Sequence, residues 1–313
     1  MQFDPLPSFR TLTGAYEPSG IRQLPDGRFL IVEDEEWHPL SLLSVHDDGS
    51  VRCTALQPPL LHPAAVDFWR LDDLEGVAID RAGYLYAITS HSRNSVGDEE
   101  AAREKLVRFR IQGNRVVEPK VVTGLKRALR AVHPLLAASA EIREVKTRGG
   151  LNIEALEMAP DQSRLMLGFR SPLLDRLAIV ACVENLVSMF EAGDAPRVGA
   201  TLVTLDLDGN GIRGMAYVPH FGGYLVIGGP VARERTQFGL WFWSGTTGDP
   251  ARRVSVPGLP GFEHAEGIST ALIDGQQRII IVSDDGSRHL GRFARFMILD
   301  PQRLMIEPSP KHT

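Results

Sequence analysis

A pattern of apolar runs and polar breaks recurs five times along the chain. Each copy begins with a short polar step and a small residue, continues as an apolar strand, turns, and returns as a second strand that ends in polar residues. The copies read PSGIRQLPDGRFLIVEDE from Pro18, DLEGVAIDRAGYLYAITSHS from Asp73, NIEALEMAPDQSRLMLGFRSP from Asn152, GIRGMAYVPHFGGYLVIGGP from Gly211 and AEGISTALIDGQQRIIIVSDDG from Ala265. A strand-turn-strand unit repeated in this way is typical of the blades of a β-propeller.

Two further strand-like runs follow each hairpin, so the chain predicts five blades of four strands in one all-β domain spanning 1–313. The predicted blades lie near 14–57, 73–123, 151–207, 210–257 and 264–307. Leu304 to Ile306 is expected as the outer strand of the fifth blade. The run at 8–13 is expected to close the ring by pairing with that blade, since closure removes free sheet edges.

The gap between the second and third copies predicts a helical insertion around 125–147. This stretch is rich in Ala, Leu, Arg, Lys and Glu, and its apolar residues recur at helical spacing, with a break near His133 and Pro134. A sixth blade in the gap is the alternative. The helical pattern favours five blades.

Composition limits the classes of partner. The chain has 313 residues, 43% hydrophobic and 23% charged, which is typical of a globular protein. A net charge of −5 argues against nucleic acid and anionic membranes as partners. The two cysteines have no CxxC spacing, so they predict neither a disulfide framework nor a zinc site. The start, MQFDPLPSFR, lacks the basic and apolar regions of a secretory signal, and we expect a cytoplasmic protein without an organic cofactor.

Two columns of polar residues emerge when the five copies are aligned. The first, at the start of the first strand, contains Ser19, Glu75, Glu154, Arg213 and Glu266, each followed by Gly or Ala. The second, at the end of the second strand, contains Glu33-Asp34, Ser90-His91, Phe169-Arg170, Gly228-Gly229 and Asp284-Asp285. These two positions lie at the same end of an antiparallel hairpin. Both columns are therefore expected at one mouth of the central channel.

Carboxylates that converge at one mouth repel one another and raise one another's pKa unless a positive charge neutralises them. One solution is a hard cation, Ca²⁺ or alternatively Mg²⁺ or Mn²⁺, held by some of Glu75, Glu154, Glu266, Asp284 and Asp285. The other is pairing with arginines, which also suit an anionic ligand. The candidate ligand-binding residues are Arg93, Arg170, Arg213, Ser90 and Asp34. A purely structural ring of ion pairs is the alternative to both.

If the protein is an enzyme, the candidate catalytic residues are Glu75, His91, Glu154 and Glu266. The glutamates would hold a cation that activates water, and His91 or Glu75 would move protons. Ser90 and the adjacent His91 could be the nucleophile and the general base of a serine hydrolase. No GxSxG elbow and no second histidine in the columns supports a serine hydrolase.

The segments DLEGVAIDRAGYLYAITSHSRN, GGLNIEALEMAPDQSRLMLGFRSPL, LDLDGNGIRGMAYVPHFGGYLVIGGP and AEGISTALIDGQQRIIIVSDDG resemble a bacterial family known as domain of unknown function 3616. The order of SHS, FRSPL, GIRG and GGP carries this resemblance. The chain is also distantly similar to esterase-like phytase propellers. The closer family implies a propeller of uncharacterised role, whereas the phytases imply calcium-assisted phosphoester hydrolysis at the mouth. Arg213 and Arg170 depart from a calcium-rich acidic pocket.

Three functions remain open. The first is a binding propeller whose mouth recognises a small anionic molecule or a protein segment, with or without a divalent cation. The second is a metal-assisted hydrolase of phosphoesters or other anionic esters. The third is a lactonase of the gluconolactonase kind, which resembles the others in its channel metal but implies Asn and Asp ligands where this chain offers mostly Glu and Arg. Fold alone does not choose among them.

Overall fold

In a computed structural model, the chain forms five antiparallel sheets that are the blades of a β-propeller. The structure describes residues 7–34, 39–46, 49–58, 63–231 and 237–309. Residues 35–38 and 47–48 of the predicted first blade and 232–236 of the predicted fourth lie outside the described residues. The prediction of an all-β propeller with five blades is confirmed, and the gap between the second and third hairpins holds helices instead of a sixth blade.

Each of the first three blades is built from one continuous segment, with its strands hydrogen-bonded in chain order. Blade 1 contains β2 (Pro18–Gln23), β3 (Phe29–Glu33), β4 (Leu40–Val45) and β5 (Val51–Ala55). Blade 2 contains β6 (Leu74–Ile79), β7 (Leu85–Thr89), β8 (Leu106–Gln112) and β9 (Arg115–Val122). Blade 3 contains β10 (Asn152–Met158), β11 (Leu165–Leu174), β12 (Leu177–Val183) and β13 (Val203–Leu205).

The last two blades combine strands from distant parts of the chain. Blade 4 contains β14 (Gly211–Val218), β15 (Gly223–Gly229), β16 (Gly239–Trp243), β17 (Arg252–Ser255) and β21 (Met305–Ile306). Blade 5 contains β18 (Ala265–Ile273), β19 (Gln276–Ser283), β20 (Arg295–Leu299) and, as its outer strand, β1 (Arg10–Thr11). Strand β1 pairs antiparallel with β20, and this pairing joins the N-terminal segment to the last blade.

The predicted outer strand of the fifth blade, Leu304 to Ile306, is wrong. Its last two residues form β21, which pairs with β17 at the outer edge of blade 4. Because β1 already occupies the outer edge of β20, that edge has no free hydrogen-bonding groups for a further strand. A 3₁₀ turn at Pro301–Arg303 carries the chain from β20 to β21.

Within the described ranges, four α-helices lie between blades: α1 (Pro63–Trp69), α2 (Leu125–Val132), α3 (Pro134–Ala140) and α4 (Val145–Arg148). The last three confirm the predicted insertion. Helices α2 and α3 are separated at His133, which has extended φ and ψ of −123° and 108° because the proline after it disfavours helical geometry. No helix in the described part of the chain combines the length and apolar character needed to cross a bilayer.

The inner strands β2, β6, β10, β14 and β18 contact one another in sequence, and β18 also contacts β2, which closes the ring. Apolar side chains fill the space between each pair of neighbouring blades. Buried examples are Leu30 with Leu85, Ile88 with Phe169, Val180 with Trp241, Phe242 with Ile281, and Phe296 with Ile31. Burial between blades accounts for the apolar runs of the repeat, since each sheet is covered on both faces.

Candidate functional site

Each inner strand contains a register shift at the residue of the first polar column. In blade 2, Leu74 pairs with Thr89 and Gly76 pairs with Ile88, so Glu75 has no partner on the second strand. The same shift occurs in every blade, and the unpaired residues are Ser19, Glu75, Glu154, Arg213 and Glu266. A bulge re-aims the side chain of the extra residue. Five aligned bulges therefore present the whole column toward the channel.

The small residue after each bulge lets neighbouring inner strands approach closely. A Cβ placed on Gly76 would lie 2.6 Å from the backbone nitrogen of Leu156 in blade 3. A Cβ on Gly214 would lie 1.9 Å from the carbonyl oxygen of Glu266 in blade 5. Only glycine fits these two positions without a shift of the backbone. Backbones of neighbouring blades therefore crowd together near the axis at this position.

Arg213 is the centre of a buried ion-pair network at the channel mouth. Its Nη1 lies 2.6 Å from Oε2 of Glu154 and 2.8 Å from Oε1 of Glu266. Arg170 lies 3.1 Å from the other oxygen of Glu154 and donates from Nε to the carbonyl of Pro230. Both carboxylate oxygens of Glu154 therefore contact a guanidinium group. The two predicted arginine positions reach the glutamate column.

Glu75 lies beside this network without joining it. The residue is 7% exposed, and within the described residues its side chain accepts no hydrogen bond and forms no ion pair. Burial, followed by the negative charges of Glu154, Asp73 and Asp34, raises the pKa of Glu75 well above its usual range. Glu75 is therefore a buried carboxyl group that has no positive partner in the part of the chain that the structure describes.

Asp73 anchors the polar residues that follow the second strand of blade 2. It accepts hydrogen bonds from Ser90 and from Ser92, the latter at 2.9 Å, and pairs with Nη1 of Arg103 at 2.9 Å. Burial opposes ionisation of Asp73, but a hydrogen bond with Asp34, the charge of Arg103 and the two hydroxyl groups together lower its pKa. Ser90 is thus held by a carboxylate and does not contact His91 through its hydroxyl group.

The two aspartates that end the second strand of blade 5 have different surroundings. Burial raises the pKa of Glu266, and the charge of Arg213 opposes this rise. The negative charge of Asp284 raises the pKa of Glu266 further. Asp285 accepts from the hydroxyl of Ser283 at 2.6 Å and pairs with Arg295 on the next strand. Asp284 therefore belongs to the mouth, whereas Asp285 is engaged within its own blade.

His91 and Arg93 contact other parts of the molecule. His91 is fully buried, its Nδ1 lies 2.8 Å from the carbonyl of Thr89, and the charges of Glu104 and Lys126 act on it. Burial lowers the pKa of His91 to about 4. Arg93 reaches the helical insertion, donating to the carbonyl of Ala140 at 3.0 Å and pairing with Glu99 and Glu141.

The channel-mouth cluster consists of Asp34, Asp73, Glu75, Glu154, Arg170, Arg213, Glu266 and Asp284. Among the residues that the structure describes, the six carboxyl groups of the cluster exceed its two guanidinium groups, and Arg103 adds one more positive charge at Asp73. No set of three or more His, Cys, Asp or Glu side chains in the described ranges is placed to hold a metal ion jointly. A cavity of about 10 Å³ below the mouth, lined by Ser19, Glu75, Glu154 and Glu266, has room for about one water molecule.

The structure adds Asp73 and Arg103 to the residues predicted from the sequence. Asp73 immediately precedes β6 and has φ of 60°, a left-handed conformation that Asp adopts more readily than most residues. The sequence could have indicated Asp73 as a site residue, because it lies one residue before an inner strand and two residues before Glu75 of the first polar column. Arg103 comes from the 3₁₀ turn Ala101–Arg103, far from either column in the repeat, and no sequence pattern pointed to it.

Comparison with known proteins identifies a family. The family model described as "Protein of unknown function (DUF3616)" matches residues 131–294, just over half of the chain, and the resemblance noted from the sequence is confirmed. No curated protein matches.

Similar solved structures include three bacterial proteins. A putative oxidoreductase (glucose dehydrogenase) from Thermus thermophilus has 17% identity, coverage of 94% of this chain and 100% of that chain, and a TM-score of 0.47. The PQQ-bound aldose sugar dehydrogenase of Streptomyces coelicolor has 16% identity, coverage of 96% and 98%, and a TM-score of 0.44. A gluconolactonase from Xanthomonas campestris has 14% identity, coverage of 98% and 93%, and a TM-score of 0.40.

Proposed function

The chain belongs to the DUF3616 family, and we propose that it is a binding propeller whose channel mouth takes up a hydrated divalent cation beside Glu75. The observation that carries the proposal is the state of Glu75: a buried carboxyl group that stands among several other carboxyl groups and has no positive partner among the described residues. Such an arrangement is costly unless a proton or a cation compensates the negative charge. A bound cation would relieve the repulsion.

The arrangement of ligands favours an ion that keeps part of its water shell. Glu154 already uses both oxygens on Arg170 and Arg213, so it has little capacity for a metal. Glu75 and one neighbouring carboxyl group would supply the protein ligands, and water would supply the rest. Mg²⁺ commonly binds through one or two carboxylates and retains several waters, whereas Ca²⁺ takes six to eight oxygen ligands. We therefore propose Mg²⁺ or Mn²⁺ ahead of Ca²⁺.

The anionic ligand expected from the sequence would bind through this cation. Arg170 and Arg213 are engaged with Glu154 and Glu266, so they offer a ligand less charge than free arginines would. A phosphate or carboxylate group could instead complete the coordination of the cation. The alternative of a metal-assisted hydrolase gains no support from His91, which is buried away from solvent beside Glu104 and Lys126. Binding without turnover is the function we propose.

The test measures thermal stability of EDTA-treated protein during titration with Mg²⁺, Mn²⁺ and, in parallel, Ca²⁺. Since a ligand that binds only the folded state stabilises it, we expect a saturable rise in Tm with Mg²⁺ or Mn²⁺. Glu75→Gln should abolish the rise, because an amide is a poorer ligand for a hard cation. No rise with any of the three ions would overturn the proposal.

Two variants serve as controls. Glu191→Gln changes a carboxylate that is 51% exposed and pairs with Arg108 and Lys120 in another part of the molecule, so the response to metal should persist. Glu154→Gln should lower the starting Tm but leave the response to metal in place. A lost response in Glu154→Gln together with a retained response in Glu75→Gln would show that Glu75 is not the ligand.

A further inference from the structure

A polar groove lies at the opposite end of the ring from the channel-mouth cluster, between blades 4 and 5. The cluster residues stand at the starts of the inner strands and at the ends of the second strands, which lie at the same end of each blade. The groove is lined by residues at the ends of β14 and β18, in the hairpins that follow, and in the connection after β20. Two cavities of about 240 and 440 Å³ meet there and share Gln277, Arg278 and Pro301. Their size is in the range of sites for small molecules.

Amide and imidazole side chains line the larger cavity. Gln277, Gln302 and His220 are exposed, and within the described residues their side chains form no hydrogen bond or ion pair. Each glutamine amide offers two donors and one acceptor oxygen, and the imidazole adds a donor and an acceptor. The groove therefore presents both kinds of hydrogen-bonding group to a ligand.

The charged groups of the groove are matched. Arg278 lies 3.8 Å from Asp300, donates to the carbonyl of Gln277 at 2.9 Å and contacts the side chain of Gln276. Asp300 also accepts from the backbone nitrogen of Gln302 at 3.0 Å, which holds that segment in place. One guanidinium group facing one carboxylate gives the groove no net charge. It does not select for an anion or a cation.

An apolar surface borders the amides. Leu272 is 60% exposed, and Val218, Pro219 and Ala271 line the same cavity. The backbone of Leu272 is fixed by Gln23, whose side chain accepts from its nitrogen at 2.7 Å and donates to its oxygen at 2.9 Å. A fixed apolar surface beside free amides fits a ligand that has one apolar face and an edge of hydroxyl groups.

We propose that this groove binds a neutral carbohydrate. The hydroxyl groups would exchange hydrogen bonds with Gln277, Gln302 and His220, and the apolar face of a sugar ring would lie against Leu272. The absence of net charge argues against a phosphate or a metal in the groove, and its position separates it from the channel-mouth cluster. This proposal is independent of cation binding at Glu75.

The test uses saturation-transfer NMR of the full chain with maltotriose, cellotriose and chitotriose. We expect transfer to at least one of these oligosaccharides, with contacts concentrated on one face of the sugar ring. The double variant Gln277→Ala/Gln302→Ala should weaken binding about tenfold or more, since it removes two sets of hydrogen bonds. Both positions are exposed, so the variant is expected to fold.

Three controls locate the binding. Gln112→Ala, at an exposed position in blade 2, should bind as the unchanged protein does. Glu75→Gln and treatment with EDTA should also leave binding unchanged, because the groove does not contain the proposed cation site. Transfer to none of the three oligosaccharides, or equal binding by the double variant, would overturn the proposal.

Discussion

Arg22 of blade 1 and Glu157 of blade 3 form an ion pair of 2.8 Å across the central channel. The blades are not neighbours in the ring, because blade 2 lies between them. Both side chains are buried, and each stands three residues after the bulge residue of its own strand. Glu157 also accepts from the backbone nitrogen of Tyr217 in blade 4 at 2.9 Å. Arg22 also donates to the carbonyl of Val77 in blade 2 at 3.3 Å, so this second polar layer links four blades below the channel mouth.

Arg22→Met is expected to lower the free energy of unfolding by about 3 to 5 kcal/mol, because the carboxylate of Glu157 would remain buried without its partner. The double variant Arg22→Met/Glu157→Gln should lose less than the sum of the single changes. Urea unfolding in a double-mutant cycle measures the coupling. As a control, Arg148→Met removes a pair that is 72% and 62% exposed and should cost about 1 kcal/mol or less. Additive single changes would show that the pair contributes nothing.

The repeat predicted the fold and the first polar column because both depend on the order of residues within a single repeat. Glu75, Glu154 and Glu266 precede a small residue in an apolar strand, and that pattern marks a position near the axis whatever the rest of the chain does. The bulges occur at the same positions, but the sequence did not predict them. The sequence could not predict the pairing of Arg22 with Glu157, because the pairing depends on which blades face each other once the ring is closed.

The second column was less informative because side chains after a strand end follow the loop. Asp34 and Arg170 reach the mouth, whereas Arg93 contacts the helical insertion and Asp285 contacts Arg295. A shared position in an alignment fixes where the backbone lies. It does not fix the direction of a side chain once the chain has left the sheet, and neighbouring segments then decide its partners.

Glu75→Gln and Glu154→Gln should change stability in opposite directions in EDTA at neutral pH. Replacing Glu154 removes a carboxylate that contacts two arginines and should lower the free energy of unfolding by about 3 kcal/mol. Replacing Glu75 removes a buried carboxyl group without a positive partner, so stability should rise by about 1 kcal/mol or more. Urea unfolding of the three proteins checks both signs. Equal destabilisation would mean that Glu75 has a stabilising partner.

Gly214→Ala should be strongly destabilising, because the new Cβ would lie 1.9 Å from the carbonyl oxygen of Glu266 and would force blades 4 and 5 apart. We expect a loss of about 3 kcal/mol. Gly199→Ala is the matched control, because the only close contact of its Cβ would be with the tip of the Glu184 side chain, which can move. This variant should change stability by no more than about 0.5 kcal/mol. Thermal and urea unfolding of both variants measure the difference. Similar stability of the two would show that the inner strands tolerate separation.

His91 should make the protein sensitive to acid. Its Nε2 is buried without a hydrogen-bond partner in the described structure, and burial lowers its pKa from 6.5 to about 4. Below pH 6.5, His91 binds a proton in the unfolded chain but not in the folded protein. The contribution of His91 to stability is therefore fully present above that pH and is lost as the pH drops toward 4. His91→Asn keeps a residue that tolerates the φ of 56° but does not titrate. When the pH falls from about 7 to 4.5, the free energy of unfolding of this variant, measured in urea, should decrease by about 2 to 3 kcal/mol less than that of the unchanged protein. The control His46→Asn, at an exposed position, should lose as much as the unchanged protein, and an equal loss in His91→Asn would contradict the prediction.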